Sequence, residues 1–284
     1  MLKDVQAGTP DNKLACPDDK FVCPSGMIFE SHAHYDDKQF DSDREELLSS
    51  MGKNGVGAII NVGSDFASCK RTLELMKEYT FIYGALGIHP SDIEDLNEEV
   101  YEWLRSSAVL PKVAAIGEIG LDYYWEKDSA VQSRQRYWFC RQMELARELC
   151  LPVIIHSRDA AEDTLALMKG IHAEQIAGVI HCFSYSPELA KEYVKMGYYI
   201  GIGGVVTFKN SKKLKETVAR IPLERILLET DCPYLSPEPN RGKRNSSLNL
   251  PYVAKEIASL RGITEEEVIE ATRENALRLF GKIS

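Results

Sequence analysis

Two histidines separated by one residue, His32 and His34, close a short apolar segment near the start of the chain. In a β-strand successive side chains point to opposite faces, so these two imidazoles would point to the same side. Two imidazoles on one face at a strand end can bind one metal ion. Taken alone, such a pair is more often two unrelated polar residues in a turn, so the rest of the chain decides between the two interpretations.

More histidines and carboxylates follow apolar, strand-like segments in the same way. They are His89, Glu118, His156, His181 and Asp231. Taken singly, each histidine is also explained as a hydrogen-bonded core residue, and each carboxylate as a helix cap or an ion-pair partner. Together they stand at the same position of a repeated unit, which indicates one shared site.

The repeated unit is a strand-like segment followed by a helical one. After the first strand near residues 27–35, the strand-like segments are 57–62, 81–87, 113–118, 152–156, 178–181, 198–201 and 226–231. This alternation predicts parallel β-α-β units. A closed (β/α)8 TIM barrel and an open doubly wound sheet both satisfy it. The number of strands favours the barrel, as do candidate ligands at the carboxyl ends of six strands.

Composition limits the class of protein. The chain has 284 residues, 44% hydrophobic and 27% charged, which is typical of a soluble globular protein. Its apolar runs are too short to span a membrane, and no signal peptide is evident. An odd number of scattered cysteines indicates reduced thiols and a cytoplasmic protein. The net charge of −9 gives no overall attraction to nucleic acid, and no obligate protein partner is indicated.

The chain divides into two unequal parts. Residues 1–26 lack apolar periodicity and are predicted to be a disordered N-terminal extension, either native or added during cloning. Residues 27–284 are predicted to form a single TIM-barrel domain that carries all the candidate ligands.

The candidate ligands are nitrogen and oxygen donors without a thiolate. Such a set suits a catalytic Mg²⁺, Mn²⁺ or Zn²⁺ ion rather than a cysteine-bound structural zinc. It exceeds what one tetrahedral catalytic ion takes, so we expect two divalent ions about 3.5–4 Å apart. Glu118 would bridge them. His32, His34 and Asp231 would complete one site, and His156 with His181 the other.

Several motifs together carry a resemblance to a known family. The matching segments are 30–34, 87–90, 116–123, 152–158, 181–184 and, most specific, 228–235 followed by 241–245. With these motifs the chain resembles TatD-family metal-dependent deoxyribonucleases, within the amidohydrolase-like barrels. The resemblance implies a (β/α)8 barrel, a pair of divalent ions with Mg²⁺ or Mn²⁺ favoured, and hydrolysis of DNA. The chain departs from the family at Asn240 and at Ser246-Ser247, in a loop at the rim.

Roles for individual residues follow from the resemblance, in the case of Asp231, and from position and charge in the other cases. Asp231 would accept the proton of the attacking water, and Glu118 would be the shared carboxylate. His89 would donate to a phosphate oxygen, although ordering the loop before Pro90 is an alternative role. The cationic candidates for phosphate contacts are Arg158, Arg241, Lys243 and Arg244, whose alternative is a solvated surface loop.

Three functions of different classes remain open. The first is a nuclease that trims DNA exonucleolytically at single-stranded or frayed ends. The second is an amidohydrolase-like enzyme acting on a small amide, ester or deacylation substrate. The third is a binding protein that retains a metal site. The basic loop favours the first, a closed apolar rim would favour the second, and the complete ligand set argues against the third.

Overall fold

A closed sheet of eight parallel strands forms the centre of the molecule, in a computed structural model that describes residues 22–281. The strands neighbour one another in chain order. They are β1 Ile28–Ala33, β2 Val56–Val62, β3 Ile82–Leu86, β4 Val113–Asp122, β5 Val153–Arg158, β6 Gly178–Ile180, β7 Tyr199–Ile202 and β8 Ile226–Leu228. The ring closes where the Asp231 N–H donates to the His32 carbonyl, 3.0 Å away. The predicted (β/α)8 TIM barrel is confirmed.

The helices pack around the barrel; the first seven connect successive strands and the last two follow β8. They are α1 Arg44–Ser49, α2 Phe66–Glu78, α3 Glu98–Ser107, α4 Ser129–Leu149, α5 Ala161–Gly170, α6 Pro187–Lys195, α7 Lys212–Arg220, α8 Leu250–Arg261 and α9 Glu265–Phe280. Helix α9 closes the amino-terminal end of the barrel, where Phe280 stacks on Phe29 of β1 with ring centroids 6.0 Å apart. The other end of the barrel is left open for polar side chains.

Strand alternation explains how one strand serves both the core and the site. In β5, Ile154 packs inside the barrel, and Ile155 packs outward with the apolar layer beneath the helices. His156 follows two residues after Ile154 and therefore points inward again, one layer higher. The barrel interior is thus apolar at the bottom and carries imidazoles and carboxylates at the top.

Strand β4 is longer than the sequence indicates. Glu118 was expected at its end, but the strand continues to Asp122, which pairs with Arg158 of β5. The register shifts between Ile116 and Ile119, so the strand bulges beside Glu118. Gly120 permits this course because its φ is +148°, and a Cβ there would lie 1.9 Å from the His156 carbonyl oxygen. Glu118 therefore projects from within the strand, and Asp122 reaches the rim.

The predicted disordered extension, residues 1–26, falls mostly outside the described residues. Within residues 22–26, Cys23 is buried and its carbonyl accepts from Arg273 of α9 at 3.0 Å. The Gly26 N–H donates to Glu270 of the same helix at 3.1 Å. This short segment therefore contacts α9, while the division at residue 27 stays a prediction. No helix within the described part of the chain is long and apolar enough to cross a membrane.

Candidate metal centre

His32 and His34 meet Asp231 where β1 adjoins the segment after β8. The Nε2 atoms of the two histidines are 3.0 Å apart, and His34 Nε2 lies 3.3 Å from Asp231 Oδ1. His34 Nδ1 is 2.7 Å from the Val62 carbonyl. A carbonyl only accepts, so Nδ1 carries a hydrogen, which leaves Nε2 as the ring atom that faces Asp231 and His32.

Asp231 has an unusual backbone conformation that supports this arrangement. Its φ is +60°, in the left-handed region that few residues other than glycine adopt. The bond from its N–H to the His32 carbonyl holds the backbone there. Non-glycine residues in this region concentrate at functional sites, and here the conformation directs the carboxylate towards the histidines.

Glu118 lies at the centre of the cluster. Its Oε2 is 3.4 Å from His32 Nε2, and its Oε1 is 2.9 Å from His156 Nδ1. Its Oε1 is also 3.7 Å from His181 Nε2. The two carboxylate oxygens therefore face different histidines, which is the geometry expected of a carboxylate shared between two ions.

The sequence predicted that His181 and His156 share one site, but His181 lies closer to His32. Its ring stacks on His32 with centroids 3.5 Å apart, whereas the His156 ring is 6.5 Å away. His156 instead lies beside His89, with centroids 4.4 Å apart. Four overlapping donor groups have ligand atoms within 4.8 Å of one another among the described residues: His32–Glu118–His181, His32–His34–Asp231, His89–Glu118–His156 and His181–Cys182–Glu229.

Two carboxylates that sequence reasoning missed support the histidines from outside. Asp122 Oδ2 is 3.1 Å from His156 Nε2, and Glu229 Oε1 is 3.1 Å from His181 Nδ1. The second contact lacks the alignment of a hydrogen bond, since His181 Nδ1 has no hydrogen-bond partner among the described residues. The signal for both was present in the sequence, because Asp122 is four residues after Glu118 and Glu229 is two before Asp231. Even spacing in an extended segment places side chains on one face.

The donor set fits divalent cations. It combines imidazole nitrogens with carboxylate oxygens, and outer carboxylates hold the imidazoles as they do around metal ions. Several buried polar atoms lack a hydrogen-bond partner within residues 22–281, among them His32 Nδ1 and Glu229 Oε2. Gly201 leaves room for Glu229, since a Cβ there would lie 2.2 Å from Glu229 Oε2. A tightly packed polar cluster without full internal hydrogen bonding is what a cation site requires.

Electrostatics keep the two central carboxylates ionised. Burial alone raises the pKa of Glu118, but His181 and His32 outweigh it and hold that pKa well below its ordinary value. Burial also raises the pKa of Asp231, but His181 and His34 outweigh burial and lower this pKa below its ordinary value. Both groups therefore offer negative charge at neutral pH, as metal binding requires.

His89 is arranged as a neutral donor. Its Nδ1 accepts a hydrogen bond from the Ser91 N–H at 3.1 Å, so the hydrogen of the neutral ring resides on Nε2. Burial and the neighbouring His156 lower the pKa of His89 to about 3. Its Nε2 lies 3.8 Å from Glu118 Oε1. In this tautomer Nε2 presents a hydrogen rather than a lone pair.

A cavity of about 1000 Å³ opens above the cluster. Eight carboxylates line it: Asp36, Asp37, Asp41, Asp65, Asp92, Glu118, Asp122 and Asp231. The cations that line it are Lys38, Arg71 and Arg158. The carboxylates of the lining thus outnumber its lysine and arginine side chains, an excess that bound divalent cations would offset.

The sequence-predicted phosphate contacts are divided between the cavity and its surroundings. Arg158 lines the cavity, but Arg241, Lys243 and Arg244 do not. The Arg241 guanidinium lies over the Phe208 ring, 4.2 Å from its centroid. Arg244 Nη1 donates a hydrogen bond to Asp43 Oδ1, 2.8 Å away. The basic run of this loop therefore does not line the cavity, and its two arginine side chains are engaged by neighbouring segments. Lys38 and Arg71 were missed, since nothing local in the sequence marks them.

Comparison with known proteins identifies the family. The family model described as TatD related DNase matches residues 29–281. The Bacillus subtilis protein named uncharacterized metal-dependent hydrolase YabD is 46% identical over 254 residues, which cover 89% of this chain and 99% of that protein. Escherichia coli YcfH, named in the same way, is 35% identical and covers 89% of this chain and 96% of its own. The crystal structure of YJJV, a TatD homologue from Escherichia coli, matches with a TM-score of 0.83 at 32% identity, covering 89% of this chain and 97% of that one. The chain therefore belongs to the TatD-related DNase family.

Proposed function

We propose that this chain is a divalent-metal-dependent hydrolase that cleaves phosphodiester bonds of DNA, acting exonucleolytically on single-stranded ends. The observation that carries the proposal is the position of Glu118, whose two oxygens face His32 and His156 from opposite sides, at 3.4 and 2.9 Å. A shared carboxylate between two sets of imidazoles is the arrangement of two-metal phosphodiesterases. The family name supports DNA as the substrate.

The residues proposed to hold the ions are His32, His34, Glu118, His156, His181 and Asp231. When bound, a pair of Mg²⁺ or Mn²⁺ ions, or Zn²⁺ as an alternative, lowers the pKa of water and neutralises charge on the phosphate. The protein's own contribution is to orient the donors. Asp122 is hydrogen-bonded to the outer nitrogen of His156, and Glu229 places its charge beside that of His181. Such outer carboxylates fix the ring orientation and raise the basicity of the ligand.

Asp231 is proposed as the general base. Its carboxylate is ionised, and its side chain is 19% exposed, so one face remains accessible from the cavity. An ionised carboxylate within reach of a water can accept its proton as the oxygen attacks phosphorus. The neutral His89 donates its Nε2 hydrogen to a non-bridging phosphate oxygen, where negative charge develops in the transition state.

The charge of the cavity explains why ions are needed for binding as well as for chemistry. Eight carboxylates face three cations in the lining. A phosphodiester entering the metal-free cavity would be repelled, because like charges in a partly enclosed site are poorly screened. We therefore expect the bound ions to make a large contribution to substrate affinity.

The same observation favours a second candidate function. An acidic lining with few cations also suits a small neutral substrate, so an amidohydrolase-like enzyme that acts on an amide, an ester or an acyl group is the alternative. It would use the same donors and the same base. Only the leaving group and the size of the substrate would differ.

We further propose that residues 27–284 form a single hydrolase domain and that residues 1–26 are an N-terminal extension of it. The cysteines that the structure describes are all free, which supports a reducing compartment such as the cytoplasm. DNA is the partner proposed for the cavity. No other partner is needed to complete the donor set, because one chain supplies all of it.

The test is hydrolysis by metal-depleted protein that is resupplied with Mg²⁺, Mn²⁺ or Zn²⁺. End-labelled single-stranded oligonucleotides and a panel of small esters and amides serve as substrates in parallel. The proposal predicts stepwise shortening of the oligonucleotide, dependent on the metal and faster than hydrolysis of any small substrate. Metal-dependent hydrolysis of a small amide or ester with an intact oligonucleotide would instead select the alternative.

A further inference from the structure

Two exposed aromatic side chains, Tyr124 and Trp125, lie in the turn that follows β4, and Trp125 reaches the cavity. Trp125 lines the cavity and is 70% exposed, and Tyr124 is 44% exposed. Their rings meet edge to face with centroids 4.7 Å apart. Two adjacent exposed rings form a contiguous apolar patch, and such patches mark interaction sites more often than single exposed side chains do. The pair is therefore a candidate for ligand binding.

The position of this pair is fixed relative to the metal centre. The backbone N–H groups of Tyr124 and Trp125 both donate to Asp122 Oδ1, at 2.9 and 3.0 Å. The other oxygen of Asp122 lies 3.1 Å from His156 Nε2. One carboxylate thus ties the aromatic turn to a candidate metal ligand, so a group resting on Trp125 would lie at a defined distance from the ions.

A cation accompanies the aromatic pair. The Arg158 guanidinium lies over the Tyr124 ring, 4.0 Å from its centroid, and 5.6 Å from the Trp125 centroid. Arg158 also lines the cavity. Stacking on Tyr124 leaves the edge of the guanidinium free to donate to an anion. The feature therefore offers a flat apolar surface beside a positive charge.

We propose that Trp125, supported by Tyr124, is a subsite that stacks one unpaired nucleobase of the substrate, while Arg158 donates to an adjacent phosphate. The inference rests on the proposed function and adds the residues that select the substrate. A nucleotide combines a planar base with an anionic phosphate, which matches an aromatic surface beside a guanidinium. A base held in a duplex is stacked on its neighbours and presents no free face. The subsite therefore selects single-stranded ends and tolerates any base.

Kinetics with Trp125→Ala and Trp125→Phe test the subsite. Loss of base stacking is expected to raise KM for a short single strand about tenfold in Trp125→Ala, and Trp125→Phe is expected to recover most of it. The effect should fall on KM rather than kcat, because stacking holds the substrate away from the reacting atoms. Tyr137→Ala on α4 is the matched control, since Tyr137 is also exposed, at 52%, and does not line the cavity.

A substrate change gives a second arm that does not depend on how the variants fold. A strand with abasic residues at both ends should raise the KM of the wild type by the same factor as Trp125→Ala. When Trp125→Ala is assayed on the abasic strand, KM should rise no further than with either change alone. Binding of a non-cleavable phosphorothioate strand should also quench the fluorescence of the wild type and leave that of Trp125→Phe unquenched.

The outcomes separate this inference from the proposed function. If the wild type cleaves DNA but Trp125→Ala and the abasic strand leave KM unchanged, the subsite is overturned and the nuclease stands. If the variant and the abasic strand show independent, additive losses, Trp125 acts on something other than the base, and the inference is again overturned. If the wild type cleaves no DNA with any ion, the proposed function itself has failed.

Discussion

The floor and the rim of the cavity are built in different ways. The floor consists of side chains on the strands or just after them, such as His32, Glu118 and His181, which are almost entirely buried. The rim consists of side chains from connecting loops and helices, such as Lys38 and Arg71. Strand register fixes the first set, whereas the second depends on how separate loops pack. The floor is therefore suited to chemistry that needs fixed geometry, and the rim to contacts that vary with the substrate.

The largest effect is expected from the floor residue that both donor groups share. Glu118→Ala should lower kcat by roughly 10³-fold or more, because the shared ligand and much of the transition-state stabilisation are lost together. Bound metal should fall at both sites. His156→Ala is the comparison and should empty chiefly one site. The measurement is the number of metal ions bound per chain in each purified variant. Equal numbers in the two variants would mean that Glu118 is not the bridge.

A smaller effect is expected from a residue beneath the floor. Glu229→Gln removes the negative charge beside His181 Nδ1, 3.1 Å away, but keeps the shape of the side chain. Loss of such an outer carboxylate weakens metal binding by about 10- to 100-fold. The measurement is a titration of metal-depleted protein with Mn²⁺. Glu224→Gln on the exposed surface is the control, and an unchanged Mn²⁺ affinity in Glu229→Gln would show that Glu229 only packs.

The next largest effect is expected from the cationic side chains that line the cavity. Arg71 lines the cavity with its side chain 49% exposed and lies 3.7 Å from Asp36. Arg71→Ala should raise KM for a single strand several-fold and reduce the salt slope of binding by about 0.7, the value for one phosphate contact. Its metal content should not change. A KM and a salt slope equal to those of the wild type would remove Arg71 from the binding surface.

The smallest effect is expected outside the rim. Arg241 packs on Phe208 and lies 3.9 Å from Glu238, and its side chain is 55% exposed. Arg241→Ala should change KM less than about twofold, the scale of an exposed ion pair. Steady-state kinetics on the strand used for Arg71→Ala provide the comparison. A loss equal to that of Arg71→Ala would restore this loop as a phosphate contact, as the sequence suggested.

The difference between floor and rim also explains which parts of the fold and of the candidate site can be predicted from the sequence. The barrel and the candidate ligands were predictable, because strand periodicity and the position of polar residues at strand ends are local signals. The continuation of β4 to Asp122 was not, since it depends on pairing with Arg158 of β5. The engagement of Arg244 by Asp43 was also hidden, because 201 residues separate them in the chain. Contacts between separate surface segments, such as this one, follow no periodic pattern and leave no signal in a single sequence.

The most direct test is a plot of cleavage rate against bound metal. Mn²⁺ is added stepwise to metal-depleted protein, and both the ions bound per chain and the rate of shortening of an end-labelled single strand are measured. With Glu118 shared between two ions, the rate should be absent without metal and rise steeply only as a second equivalent binds. A full rate at zero or one equivalent would contradict the two-ion centre.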